Sequence, residues 1–177
     1  MSSDTLSRVV DARYAVIAIA MAGALSACSG AANPVSPDST AAAPTTVNSL
    51  SADATFCVEE VNRLRATVGA APLDRAENIE AFANVAARVD TEAREPHHYF
   101  RMTNGGNGTA MAETQIPWWP LSRYGSSRTI VKEGLAMMWA QGPGGSHYDI
   151  IRGNYKQIGC GVFVTASGEV TVSQDFH

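Results

Sequence analysis

Three histidines in this sequence stand where an imidazole can do chemistry: His97 and His98 in "REPHHYF", and His147 in "WAQGPGGSHYDI". The carboxylates that can join them are Glu113 in "MAETQI" and Glu133 in "TIVKEGLAM". Two imidazoles and one or two carboxylates converging in a cleft can bind a divalent metal, or perform acid–base work. If the first pair lies on an extended segment, adjacent histidines point to opposite sides, so at most one of them faces a common site. Gly142–Gly145, "GPGG", loosens the backbone just ahead of His147. Ser146 adjoins His147, but neighbours in sequence rarely form a nucleophile–base pair. No HExxH, GxSxG, P-loop or CxxC pattern is present. Spacing alone leaves two readings of His147 open, a cleft residue or a plain loop histidine.

The elements that must position these residues are legible from periodicity. "TFCVEEVNRLRATVG" places Phe56, Val61, Leu64 and Val68 at helical spacings before Gly69. A second helix is expected within Pro72–Arg94, with Ile79, Phe82, Val85, Ala86 and Val89 on one face and an end before Pro96. A third, in "RTIVKEGLAMMWAQ", presents Ile130, Leu135, Met138 and Trp139 and stops at the glycine-rich turn. Two β-branched runs, "IGCGVFVT" and "EVTVSQDF", joined by "ASG", form a hairpin signal. Helices followed by an antiparallel pair indicate an α+β or layered domain and not a parallel nucleotide-binding sheet. Between them, "IPWWPL" sets Trp118 and Trp119 among prolines, either as a core lid or as an aromatic patch for a sugar or lipid.

The N-terminal region carries a different message. Ala15–Leu25 is apolar or small throughout, preceded by Arg8 and Arg13, and has the length of a secretory signal's apolar region. It ends in "LSAC", which resembles a bacterial lipobox, implying acylation of Cys28 after removal of residues 1–27. Residues 28–54, rich in Ala, Ser, Thr and Pro, read as a disordered tether, and residues 55–177 as the folded domain. The expected location is therefore extracytoplasmic, with the chain lipid-anchored in the cell envelope, the outer membrane being favoured by Ser29, or secreted. Of the three cysteines, Cys57 and Cys160 then remain as a pair, either bridged or as two buried thiols, the bridge being favoured in an oxidising compartment. A net charge of -4 with no basic cluster excludes nucleic acid as a partner.

Several of these segments resemble one family. "VNRLRATVGAAPL" is similar to the opening helix of the CAP superfamily (cysteine-rich secretory proteins, antigen 5 and pathogenesis-related 1 proteins), and "GSHYDIIRGNYKQIGCGVFV" to its His-Tyr segment running into a Gly-Cys-Gly strand. "AET" stands where the family often has Gly-Glu-Asn. The resemblance implies a three-layer α-β-α sandwich with a central antiparallel sheet. It also implies a cleft holding two His and two Glu, which in some members bind zinc or another divalent ion. Carried over, the tetrad is His97 (with His98 as the fallback), Glu113, His147 and, where a glutamate is expected, Gln141, with Tyr148 packed beside His147. The implied metal set is His97, Glu113 and His147, weakened by the missing carboxylate at Gln141. The favoured function is a binding module for a lipid, sterol, glycan or protein. The runner-up is a metal-dependent or His/Glu-assisted hydrolase.

Overall fold

The first helix, α1, spans Thr45–Ala66, starting earlier than the expected Thr55. The computed structural model describes residues 45–177, so the signal region and Cys28 lie outside the described residues. α1 starts early because its apolar stripe does: Leu50 packs against the core one turn ahead of Ala54, Cys57, Val58, Val61 and Leu64. The stretch 45–54, read as tether, is thus helical, and Ala54 is buried. Two residues assigned to the buried face are not on it, since Phe56 is half-buried and Val68 is exposed.

After α1 come β1 (Asp74–Arg75), α2 (Glu77–Ala93), α3 (His98–Gly108) and β2 (Ala112–Pro120). They are followed by α4 (Leu121–Tyr124), α5 (Ser127–Trp139), α6 (Ser146–Arg152), β3 (Gln157–Val164) and β4 (Glu169–Phe176). The sheet order is β1-β3-β4-β2. β2, β3 and β4 pair antiparallel as expected, while the two-residue β1 joins β3 in parallel, so the sheet is mixed. Helices α1, α5 and α6 cover one face and α2 the other, giving three layers.

Alternation along β3 assigns the faces. Ile158, Cys160 and Val162 point toward α1, where Cys160 is bonded to Cys57 with a Cα separation of 6.2 Å. Gly159 and Gly161 point toward α2, so close that a Cβ on either would stand 2.1 Å from that helix's backbone. The two glycines therefore let α2 lie directly on the sheet, its contact face made of Ile79, Ala83, Ala86 and Ala87. Val85 and Val89, expected on this face, are only half-buried.

The register places Glu113 and Gln115 of β2 opposite Asp175 and Ser173 of β4, all on the α2 side. Thr171, Ser173, Asp175, Glu113 and Gln115 are all buried there, so this inner face is polar. The opposite face carries Ile116, Val170, Val172 and Phe176, which together with Leu135 and Ile151 form the apolar core. Burying each such side chain contributes about 1.5–3 kcal/mol.

Candidate functional site

His97 and His98 do not lie on an extended segment. His97 is the N-cap of α3 in a left-handed conformation (φ 60°), and His98 opens that helix. For a non-glycine residue this costs on the order of 1–2 kcal/mol. It turns the two rings apart: His97 Nδ1 lies 2.7 Å from Glu113 Oε1, whereas His98 Nδ1 meets Glu95 at the surface. Only His97 reaches Glu113, and a helix start, not strand alternation, separates the pair. No helical period in the sequence marks this stretch. Further along α3, Asn104–Asn107 form a left-handed turn, a conformation that Gly and Asn tolerate best.

Glu113 is the inner partner, its side chain 1% exposed against 33% for His97. Burial pushes its carboxyl up from the usual range; His97 pulls it back down, Asp90 adds to the rise, and Arg101 opposes it. Behind it lies a polar network that periodicity did not reveal. Gln115 Nε2 donates to Asp90 Oδ2 and Ser173 Oγ, each at 2.8 Å, while Gln115 Oε1 accepts the backbone N–H of His97. Asp90 Oδ1 accepts the N–H of Tyr99 at 2.7 Å. Asp175 stands opposite Glu113 with neither carboxylate oxygen hydrogen-bonded. Burial first, then the charges of Glu113 and Asp90, push its carboxyl well above the usual range.

The second half of the site comes from the turn after α5. His147 sits in the first turn of α6, after the left-handed Gly142 and Gly144, and not in an open loop. Gln141 grips it twice, with Nε2 2.8 Å from His147 Nδ1 and Oε1 3.2 Å from its backbone N. Burial lowers the proton affinity of His147, and the charge of His97 lowers it further. Tyr148 is buried and packs on Trp139 at 4.3 Å between ring centroids. α6 is clipped from below by Arg65, whose Nη1 donates to Ile151 O at 2.6 Å and Gly153 O at 2.9 Å. Asn62, on the same stretch of α1, exchanges two hydrogen bonds with the backbone of Leu73. The second Arg of "VNRLR" thus holds the end of the helix that carries His147, while its Asn pins the segment leading into β1.

Beside His147 and Gln141 opens a cavity of about 190 Å³, lined chiefly by Ile116, Pro117, Trp119, Met137 and Met138. Trp119 also stacks on Tyr124 at 4.7 Å, while Trp118 lies under the Arg94 guanidinium at a kink of β2 (φ 57°). Both are half-buried, intermediate between a closed lid and a bare patch. Glu133, the remaining acidic candidate, faces a groove on the outer side of α5 with Phe56, Arg128 and Lys132. The residues present do not fit a divalent metal. Among the described residues no three His, Cys, Asp or Glu side chains are grouped to hold one. His97 and Glu113 engage each other, and Gln141 brings no charge to His147. The set of His97, Glu113 and His147 is therefore not assembled as a three-ligand centre.

Comparison with known proteins gives the arrangement a setting. The profile described as "CAP: Cysteine-rich secretory protein family" matches residues 58–176. A crystal structure of a cysteine-rich secretory protein from Staphylococcus aureus subsp. aureus Mu50 is similar at 15% identity and a TM-score of 0.47, covering 73% of this chain. This chain spans 40% of that one. A search of curated proteins found no match.

Proposed function

Since the chain belongs to the cysteine-rich secretory protein (CAP) family, we propose that it is an extracytoplasmic binding module whose cleft, between His97–Glu113 and Gln141–His147, captures a small ligand. The observation that carries this reading is the apolar cavity opening directly beside His147 and Gln141. A pocket with apolar walls and a few fixed polar groups at one end is the usual form of a ligand site. Lipids, sterols, glycans and protein side chains are the candidate ligands, and the thioether and aromatic lining favours those with an apolar group. The hydrolase reading has less support. It needs an activated nucleophile or a metal-bound water, and His147 Nδ1 is engaged by Gln141 and not by a hydroxyl.

Acylation at Cys28, lying outside the described residues, would hold the module on a membrane surface, by our reading the outer one. Among the described residues no helix is long and apolar enough to cross a membrane. The test of the binding reading is a calorimetric titration of the purified full chain with octanol, whose single alkyl chain suits the cavity. Binding that is lost in Trp119→Ala, and no ester or peptide hydrolysis above background, is the expected result. Hydrolysis abolished by His147→Ala would sink it.

A further inference from the structure

What His147 offers a ligand is decided by Gln141. A backbone N–H can only donate, so the end of the Gln141 amide that meets the His147 N–H at 3.2 Å is the carbonyl oxygen. The other end, 2.8 Å from His147 Nδ1, is therefore the NH2 group. An amide NH2 donates and does not accept. His147 Nδ1 must accept from it and so carries no proton. The single proton of the neutral ring lies on Nε2. A doubly protonated ring would set an N–H against the amide NH2, and burial together with the charge of His97 disfavours that form as well.

We infer that Gln141 locks His147 as the Nε2–H tautomer, so that the cleft meets its ligand with a hydrogen-bond donor, and that the ligand is a small apolar group bearing an oxygen acceptor. This rests on the binding-module reading of the site and names the ligand class for it. His147 lines the cavity with Nδ1 engaged by Gln141, which leaves Nε2 as the ring nitrogen available to a guest. Beside Gln141, the rest of the lining is apolar except for Gln115, whose amide is already taken up by Asp90, Ser173 and the His97 N–H and so offers a guest no free donor. The apolar part is chiefly Ile116, Pro117, Trp119, Met137 and Met138. At about 190 Å³ the space is smaller than the roughly 300–1,000 Å³ that encloses a drug-sized molecule. It is comparable to the roughly 150 Å³ apolar cavity that accepts a benzene-sized guest. A short alkyl chain or one ring fits, with its carbonyl or carboxylate oxygen on Nε2–H.

The glutamate expected at this position would give the reverse arrangement. A carboxylate only accepts, so it would take Nδ1–H and turn the Nε2 lone pair outward, toward a metal or a proton. Exchanging one oxygen for an NH2 therefore converts a Lewis-basic histidine into a donor. This accounts for a cleft whose donors do not make a divalent centre.

The test is a long-range proton–nitrogen correlation spectrum of the His147 ring in the 15N-labelled full chain, in the native protein and in Gln141→Glu, followed by titration with octanoate and with octylamine. The expected result is Nε2–H in the native protein and Nδ1–H in the variant. Octanoate should shift the His147 Nε2 signal, quench Trp119 fluorescence and bind roughly three- to tenfold more tightly than octylamine. A net charge of -4 favours the amine in bulk, so that order would not be a general charge effect. In Gln141→Glu, octanoate should lose its preference. A native Nδ1–H ring, or a ring unchanged by Gln141→Glu, overturns the inference even if both probes bind. Equal binding of the two probes overturns the ligand class. If neither probe perturbs Trp119, the binding-module reading fails along with it.

Discussion

Removing the Cys57–Cys160 bond tests how much of this domain's stability depends on pinning α1 to the sheet. The bond joins residues 103 apart, with both half-cystines fully buried. In the chain-entropy account, a loop of that length loses about 16 cal/mol/K of unfolded-state entropy, or about 4.7 kcal/mol at 25 °C. Natural domains have about 5–15 kcal/mol in total, so roughly 30% or more of the margin would go. For a domain of roughly 130 residues this corresponds to a Tm lower by about 15 °C, or a urea midpoint lower by roughly 2 M.

The assay is urea unfolding of the full chain followed by Trp fluorescence, with and without dithiothreitol, beside the double variant Cys57→Ala/Cys160→Ala. The reduced protein and the variant should fall together, the variant slightly further because its lost sulfur atoms leave a small cavity. Reductant should have no effect on the variant. A loss below about 1 kcal/mol on reduction would refute the reasoning. It would mean that the clips of Asn62 and Arg65 hold α1 in place without the covalent bond.

Gly159→Ala or Gly161→Ala should each prevent soluble folding or cost at least about 3 kcal/mol, because the new Cβ would lie 2.1 Å from α2 backbone that cannot move aside. Gly69→Ala, open to solvent but left-handed, should cost only about 1–2 kcal/mol in the same urea assay. Asp175 has a folded-state proton affinity raised above its unfolded value, so its contribution is fully present below the unfolded pKa near 4 and is lost as pH rises through the folded value. Asp175→Asn should therefore flatten the fall in urea midpoint above pH 4, and an unchanged pH slope would count against a proton held there. Cys28→Ala should move the protein from the detergent phase to the aqueous phase of a Triton X-114 partition. Equal partition of the two forms would remove the lipid anchor.

Legibility of the fold in the sequence is greatest where one period dominates. The C-terminal hairpin and the cores of α2 and α5 follow directly from alternation and helical spacing. It is lowest where both faces of an element are buried but only one is apolar. "EVTVSQDF" alternates like a strand with one wet face, yet Thr171, Ser173 and Asp175 are covered by α2. The signal was present in Gly159 and Gly161, which on a strand facing water would have no reason to be so small. The early start of α1 was hidden because 45–54 reads as low-complexity Ser, Thr and Ala, and only the tertiary contact of Leu50 and Ala54 makes it helical. His97, Glu113, Gln141 and His147 are marked in the sequence only by the family resemblance; periodicity carries no signal for Asp90, Gln115 or Asp175 behind them.

The two halves of the cleft differ in a way that constrains any ligand. On one side, Glu113 is backed by Asp90 and Asp175, three carboxylates with one imidazole, His97, between them and solvent. On the other side, His147 is paired with a neutral amide and meets no carboxylate in its hydrogen bonds. A cation would be drawn to the acidic side, but the carboxylates are buried, and Asp175 is driven toward its neutral form by that burial. An anion or a carbonyl oxygen finds a donor at His147, next to the apolar cavity. The asymmetry therefore favours a guest bound at the Gln141–His147 end, with Gln115 as the polar part of the far wall and His97–Glu113 behind it, not as a second ligating arm. Glu113→Gln, which keeps the side chain's shape behind the cavity and removes its charge, should then leave octanoate binding within about threefold of native. His147→Ala should weaken it by roughly tenfold in the same titration, through the lost donor and the altered cavity wall.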